Sequence, residues 1–314
     1  MVYSNQAKST DDKKSNAETT QYKLNNIVEL VELGEGFTAC SWTNDQNIIL
    51  TKKGFTGLYL YDQNKKTTQT ISDAMSVGYQ YQQIDNGNQL LTKYAAFNEE
   101  QNKRKEGVKV FNLKTLQPES DILFKESRIS LPAVSKKKTS SIKVGVKSKM
   151  VNVAVASFSE AANKKTSQGF WNKYPLIYTN EGLRLYKDNK VVEISDMYGI
   201  DAVISPNAKL MCFNDRGILK IRDENQKEQT IGEGFNASWL PNSSAIIYQI
   251  TKDDGQKITQ SDIYLFDLSL NKTFQLTNTI DVLEEYPSVS NDGKKLLYTD
   301  IETGILFTAE LLTK

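Results

Sequence analysis

Apolar and polar residues alternate along much of this chain, a pattern that predicts β-strands rather than helices. The alternation is clearest in six short segments, each opened by a small residue. These segments are 57–62, 107–112, 182–186, 217–222, 262–267 and 304–308. Most of them recur at intervals of roughly 40–50 residues, a period typical of radial and solenoid repeat proteins. The repeat therefore indicates one architecture for most of the chain.

A polar turn leading into an apolar strand precedes these segments. The clearest copy is 287–298, which contains Asn291-Asp292-Gly293, and further copies lie at 41–50, 83–91, 203–212 and 238–248. Asn-Gly and Asp-Gly pairs suit the positive φ angles of tight hairpin turns. Because a Thr/Gln-rich strand follows most copies, each unit predicts a four-stranded antiparallel blade.

An internal duplication predicts how the ends of the chain meet. The stretch Leu33–Phe37, followed by Ser41-Trp42, matches Ile231–Phe235, followed by Ser238-Trp239. The match predicts that 26–33 is an outer strand, whereas the sixth repeat ends after its third strand. We therefore predict an all-β, six-bladed β-propeller over 22–314, closed by an N-terminal strand that completes the last blade. Residues 1–21 are almost entirely polar and predict a disordered leader.

The third unit is longer than the others, because about 75 residues separate Gly107 from Gly182. We predict extra loops at 136–141 and 160–169, with the strand Val151–Phe158 between them. The run Lys136, Lys137 and Lys138 is interpreted as a solvated loop, with a docking patch as the alternative.

The composition excludes several classes of chemistry. The 39 basic and 38 acidic residues leave a net charge of +1, so no global field favours nucleic acid or anionic lipid. The chain has no histidine, which removes the usual general base and the commonest transition-metal ligand. With no nucleophile elbow, phosphate-binding loop or dinucleotide fingerprint, we predict a protein that is not an enzyme and has no cofactor or metal.

Other candidate motifs have structural interpretations. Cys40 and Cys212 are too few for a disulfide framework and are interpreted as unpaired buried thiols. Asp253-Asp254-Gly255 is predicted to form a hairpin turn rather than a calcium site. Trp42 and Trp239 occupy equivalent repeat positions, which favours wedges between blades over sugar-stacking platforms.

The block 287–295, followed by Gly304–Phe307, resembles the WD40-like (PD40) repeat of TolB-type six-bladed propellers. The usual Ser-Pro-Asp-Gly core is split here, since 290–293 keeps Asp-Gly and Ser205-Pro206 keeps the proline. The resemblance covers about 24–314 and implies the fold far more strongly than an activity. Propellers of this type occur as envelope proteins that bind protein partners at one face, as gating domains of peptidases and as sensory modules. None of these families has catalytic residues within the propeller that could be carried over.

The leading hypothesis is a non-enzymatic binding propeller that presents one face or the ring mouth to a protein or peptide, in a bacterial cell envelope. The alternative is a sensory propeller that holds a small molecule or glycan in the central channel. We expect a monomer, periplasmic or tethered at the surface, with no integral membrane segment and no nucleic-acid partner. The candidate binding residues break the repeat: Lys136, Lys137, Lys138, the 160–169 loop, Asp281, Glu284 and Glu285. The three acidic residues are expected to lie in a loop that opens at the face of the ring.

Overall fold

The computed structural model describes residues 22–313 except for gaps at 44, 80, 85–86, 99, 101, 124–138, 147–148, 159–169, 172–173, 180–181, 188–189 and 196–201. The predicted polar leader lies outside the described residues, and so do Lys136–Lys138 and the 160–169 loop.

The described strands form antiparallel sheets that follow one another along the chain. The first described strand is β1 (Tyr22–Glu29), and the first sheet consists of β2 (Phe37–Trp42), β3 (Ile48–Lys52), β4 (Thr56–Asp62) and β5 (Thr67–Ser72). The second sheet consists of β6 (Tyr81–Ile84), β7 (Gln89–Asn98), β8 (Lys103–Asn112) and β9 (Pro118–Leu123). A two-stranded hairpin follows, β10 (Thr139–Val146) with β11 (Lys149–Phe158). Next come β12 (Phe170–Trp171), β13 (Tyr174–Thr179), β14 (Gly182–Lys187) and β15 (Lys190–Ser195).

The C-terminal part of the chain contains three more sheets. One consists of β16 (Ala202–Ile204), β17 (Leu210–Asp215), β18 (Ile218–Asp223) and β19 (Glu228–Glu233). The next consists of β20 (Phe235–Trp239), β21 (Ala245–Asp253), β22 (Ile258–Asp267) and β23 (Lys272–Gln275). The last contains β24 (Glu284–Val289), β25 (Lys295–Asp300) and β26 (Leu306–Thr313), and β1 pairs with β26. A 3-10 turn at Val31–Leu33 lies between β1 and β2, and a second at Lys53–Phe55 joins β3 to β4.

The sheets are arranged as propeller blades with the first strand of each sheet innermost. First strands of neighbouring sheets contact one another, as β2 does with β24 and β24 with β20. Fourth strands such as β5 are mostly exposed. Buried apolar side chains fill the space between consecutive blades, for example Trp42 and Ile48 of the first blade against Leu297 of the last. The all-β propeller of four-stranded antiparallel blades is therefore confirmed.

The number of blades differs from the prediction. The residues that the structure describes form five full blades rather than six. In the sheet at 170–195 the first strand, β12, has two residues, which pair with Pro175 and Tyr174. Because proline has no N–H, Pro175 cannot donate a ladder hydrogen bond to β12. The repeat at Gly182 thus contributes a reduced sheet.

The insertion in the third unit contains more strand than predicted. Residues 139–141, expected in a loop, begin strand β10, which pairs with β11 over 139–158. The predicted strand Val151–Phe158 is present within β11, but it belongs to this extra hairpin.

The N-terminal strand completes the last blade, as predicted. Tyr22 pairs with Thr313 and Glu29 with Phe307, interrupted by a bulge after Asn25. The strand begins four residues earlier than expected and ends at Glu29, because Val31–Leu33 turns into the crossover toward β2.

The split turn motif has one hydrogen-bonding pattern in both of its forms. Ser290 donates from Oγ to Asp292 Oδ1 (2.6 Å) and accepts from the Lys295 N–H (2.9 Å). Ser205 makes the same bonds to Asn207 and Leu210. Gly293 has a φ of 77° in this turn, so the Asp-Gly copy meets a requirement for left-handed backbone that other copies meet with less suited residues.

Candidate functional site

Two faces of the propeller follow from its topology. We call the crossover face the end of the blades where each fourth strand passes to the first strand of the next blade, together with the hairpins that join second to third strands. We call the opposite end the hairpin face. Exposed apolar residues concentrate on the crossover face, which carries six of the ten large hydrophobic side chains that are exposed among the described residues. They are Val31, Met75, Tyr79, Phe97, Phe235 and Ile280.

Three aromatic rings from separate parts of the chain meet on this face. The ring centroid of Phe55 lies 5.1 Å from that of Tyr79 and 6.3 Å from that of Tyr286, in edge-to-face arrangements. Phe55 ends the Lys53–Phe55 turn, Tyr79 lies in the crossover from β5 to β6, and Tyr286 lies on β24. We call these three residues the aromatic cluster.

Two members of the aromatic cluster occupy an unfavourable backbone region. Phe55 has a φ of 58° and Tyr286 a φ of 51°, whereas bulky residues rarely adopt left-handed conformations. Tyr286 lies in a bulge of β24 whose counterpart in β20 is Asn236, at the same φ of 51°. Asparagine tolerates this conformation, so a tyrosine here costs more and is held by its surroundings.

The structure separates the three acidic residues that the sequence groups together. Asp281 lies exposed in the crossover between β23 and β24, whereas Glu284 and Glu285 are the first two residues of β24. The expectation that all three lie in an open loop is therefore wrong for the two glutamates. The reason is the repeat itself: Glu284 begins its inner strand as Phe37 begins β2, at a position that the blades bury.

The Glu284 carboxyl is fully buried, with 0% exposure. Its Oε1 accepts a 2.7 Å hydrogen bond from Thr279 Oγ1, and its Oε2 has no hydrogen-bond partner among the described residues. Burial raises the pKa of Glu284 to about 7, and the negative charge of Asp262 adds to this effect while the Thr279 hydroxyl opposes it. Near neutral pH this group therefore exists in both protonation states.

Glu285 points toward the neighbouring blade. Its Oε1 accepts a 3.0 Å hydrogen bond from Thr38 Oγ1 on β2. Burial raises the pKa of Glu285, opposed by the Thr38 hydroxyl and by the charge of Lys53. Glu285 thus contributes a partly buried carboxyl between the last blade and the first.

Both predicted tryptophan wedges are confirmed. The indole N–H of Trp42 donates to the Ser288 carbonyl (3.1 Å), and that of Trp239 donates to the Val203 carbonyl (3.0 Å). Each bond connects an inner strand to the preceding blade, so both residues join blades. The predicted hairpin turn at Asp253–Gly255 is likewise present, with Asp253 Oδ1 accepting from the Gly255 N–H.

An open polar recess lies on the hairpin face. It has a volume of about 620 Å3 and is lined by Asp45, Gln46, Gln63, Asn64 and Lys295. Its amides and charges suit a polar small molecule more than an apolar one.

The described residues contain no group of three or more acidic or thiol side chains placed to hold a metal ion. Within the same ranges, no helix has the length and apolar content needed to cross a bilayer.

Comparison with known proteins gives the fold but no family. No protein-family model matches the chain, and no curated protein matches it. A chain in the crystal structure of the Mitotic Checkpoint Complex is similar over 99% of this chain and 98% of its own length, with a TM-score of 0.58 and 10% identity. At that identity the likeness shows a shared propeller fold only.

Further solved structures are similar at lower scores. Oligogalacturonate lyase from Vibrio parahaemolyticus has a TM-score of 0.45 and 11% identity, covering 88% of this chain and 78% of its own. TolB from Acinetobacter baumannii has a TM-score of 0.37 and 13% identity, covering 88% of this chain and 54% of its own.

The aromatic cluster escapes the sequence pattern because its members come from three different elements. Phe55 and Tyr79 each follow a glycine, at Gly54 and Gly78, and neither position belongs to the repeat. A bulky aromatic residue directly after a glycine is a weak signal here, because Phe37, Phe170 and Phe235 share it.

Proposed function

We propose that this protein is a non-enzymatic binding propeller that docks a protein or peptide partner on its crossover face. The observation that carries the proposal is the concentration of exposed apolar residues on this face, which also carries the aromatic cluster. Aromatic residues are enriched at protein interfaces because they bury a large area and lose few rotamers on binding.

The strain in the aromatic cluster supports the same proposal. Left-handed backbone at Phe55 and Tyr286 lowers stability, and such costs concentrate at binding and catalytic sites. Exposed apolar residues in a cluster mark interaction sites more often than isolated ones do. On the hairpin face, by contrast, Leu270 is the large apolar side chain exposed among the described residues.

The partner that fits this surface is a segment with apolar or aromatic side chains. A basic group beside them would complement the exposed Asp281 in the crossover between β23 and β24. We place the protein in a bacterial envelope and expect a monomer, and this placement depends on the resemblance of its repeats to those of TolB-type propellers. The lysine run at 136–138 and the 160–169 loop stay candidate contacts.

A small polar ligand is the second candidate function. The recess of about 620 Å3 on the hairpin face favours it, because amide and charged side chains line the recess. In this case the protein would be a sensory or glycan-binding propeller, and the crossover face would have no role in recognition.

The two candidates can be separated with a phage-displayed random peptide library as the probe. Phe235 on the crossover face and Leu270 on the hairpin face are both 41% exposed and form a matched pair. We expect selected peptides to bind the wild type and Leu270→Ser equally and to bind Phe235→Ser and Tyr79→Ser at least about tenfold more weakly, the loss of one good apolar contact. Equal binding to all four proteins would overturn the proposal.

A glycan panel read by thermal shift tests the second candidate directly. A shift in melting temperature that Gln63→Ala abolishes, with no selected peptide, would favour the recess. All variants should melt within a few degrees of the wild type, because the altered side chains are partly exposed.

A further inference from the structure

The Thr279 hydroxyl, the Val282 carbonyl and the Glu284 carboxyl meet where the crossover between β23 and β24 ends. If Glu284 is ionised, these three groups have one proton for two hydrogen-bonding contacts. Thr279 Oγ1 lies 2.9 Å from the Val282 carbonyl oxygen and 2.7 Å from Glu284 Oε1. A hydroxyl has one proton and a carbonyl can only accept. One of the two contacts is therefore unfavourable unless Glu284 supplies a proton of its own.

A protonated Glu284 satisfies every contact in this chain. Its Oε1–H donates to Thr279 Oγ1, and the Thr279 hydroxyl then donates to the Val282 carbonyl. The unpartnered oxygen, Oε2, becomes the carbonyl oxygen of a neutral acid, for which burial without a partner costs far less than for a carboxylate. When Glu284 is ionised, the Thr279 hydroxyl donates its hydrogen bond to the carboxylate instead, and the Val282 carbonyl is left without a donor.

We propose that a proton on Glu284 holds the 276–283 crossover loop in place and that its loss loosens this loop. The loop is an attachment point of the crossover face, because it carries Asp281 and the 93% exposed Ile280. The loop leads directly into the inner strand β24, so a change in it alters this part of the crossover face.

The groups that face Glu284 come from every neighbouring element. On β22, Asp262 places a negative charge nearby, and Ser261 Oγ donates to the backbone carbonyl of Glu284. On β25, Tyr298 and Asp300 lie beside it, with Asp300 directly paired in register. The adjacent Glu285 is in turn influenced by the positive charge of Lys53.

The balance of these groups favours the neutral acid. Desolvation is the largest influence on this group, and together with the charge of Asp262 it raises the pKa of Glu284 to about 7, against the opposing effect of the nearby Thr279 and Thr277 hydroxyls. Asp262 has a second role, since its Oδ1 accepts the backbone N–H of Thr279 (3.2 Å) and so ties the same loop to β22.

The loop has reporters that need no binding partner. The N–H of Thr279 is bonded to Asp262 and the N–H of Leu283 to Asp300, so both amides exchange with solvent when the loop opens. Hydrogen exchange at 276–283, corrected for the intrinsic pH dependence of amide exchange, therefore measures the opening itself. Only the consequence for partner binding rests on the proposed function.

The experiment compares the wild type with Glu284→Gln between pH 5.5 and pH 8. If opening releases the glutamate, the corrected exchange of the loop in the wild type should rise about tenfold or more over this range, because each unit of pKa difference corresponds to a factor of ten. Glu284→Gln can donate its amide N–H to Thr279 at every pH, so its loop should stay protected at pH 8 as the wild type is at pH 5.5.

Two further proteins make the result specific. Glu285→Gln, which removes the neighbouring carboxyl that bonds Thr38 instead of the loop, should keep the rise in exchange. Thr279→Val, which lacks the relay hydroxyl, should show fast exchange at both pH values. A wild-type loop whose corrected exchange does not change with pH, or a rise that persists unchanged in Glu284→Gln, would overturn the proposal. Loss of peptide binding in the Phe235→Ser experiment would not affect this result in either direction.

Discussion

The hydroxyl of Tyr22 donates a 2.7 Å hydrogen bond to Oδ2 of Asp267, joining the N-terminal strand to the blade beside the one that it completes. Tyr22→Phe removes this donor, so the buried Asp267 carboxylate loses a hydrogen bond at Oδ2. We expect the free energy of unfolding to fall by about 1–3 kcal/mol, the range for a buried polar group that loses its partner. Urea unfolding measures the change. Tyr264→Phe, whose hydroxyl bonds to none of the described residues, should change stability by less than about 0.5 kcal/mol.

The same pair predicts a dependence on pH. Burial acts to raise the pKa of Asp267, but hydrogen bonds from Ser269 and Tyr22 outweigh it and hold the pKa below its ordinary value of 3.8. A lowered pKa in the folded state means that the stabilisation is present above pH 3.8 and is lost as the pH falls through the folded pKa. The difference between the wild type and Tyr22→Phe should therefore shrink in acid, and a difference that is as large at pH 2.5 as at pH 7 would contradict this reading.

Deleting residues 22–33 should destabilise the protein severely. The deletion removes β1, exposes the edge of β26 and uncovers Leu311 in the core next to it. We expect aggregation in size-exclusion chromatography or a large drop in melting temperature. The matched deletion of residues 1–20 should leave melting almost unchanged, and destabilisation by this smaller deletion would contradict the predicted disordered leader.

Gly304 should tolerate no side chain. It has a φ of 71°, and a Cβ there would lie 2.6 Å from the backbone nitrogen of Phe37 and 2.7 Å from that of Gly36. Gly304→Ala should lower the free energy of unfolding by about 3 kcal/mol or more, since overpacking against backbone adds to conformational strain. Gly255→Ala is the control, because Gly255 has a φ of 88° but nothing within 4 Å of the added carbon. It should lose only about 1 kcal/mol, and equal losses in the two variants would refute the steric argument.

The two cysteines should be unreactive in the native protein. Both thiols are buried and unpaired, and desolvation raises the pKa of each far above its usual range. A thiol reagent at pH 8 should modify neither residue until denaturant is added, when both should react. Rapid labelling of the folded protein would show that one of them is accessible.

The sequence predicts the blades well because their positions are dictated by local chemistry. The Ser290–Asp292 turn specifies a hairpin, and the glycines that open third strands specify strands. Each of these signals involves residues only a few positions apart in the sequence. The alternation of side chains then decides which face is buried. The equivalence of Trp42 and Trp239 was enough to predict their role as wedges, since both positions repeat.

The candidate site is less accessible from sequence because it depends on contacts between distant elements. Glu284 looks like part of a solvated acidic loop, and only the register of β24 shows that it takes the buried position of Phe37. The aromatic cluster joins residues 55, 79 and 286, whose proximity no local pattern encodes. The prediction of six blades was wrong for a similar reason, since the repeat at Gly182 does not reveal that β12 is two residues long.

The pairing of β1 with β26 also determines the order in which the protein can fold. Tyr22 meets Thr313 across nearly the full described chain, so this blade cannot form until the last strand has been made. Contacts so distant in sequence form late and slowly, because a long loop must close first. During synthesis the earlier blades can assemble from neighbouring strands while β1 waits without its partner. The final blade can therefore be completed only when β1 and β26 are both present in the same chain.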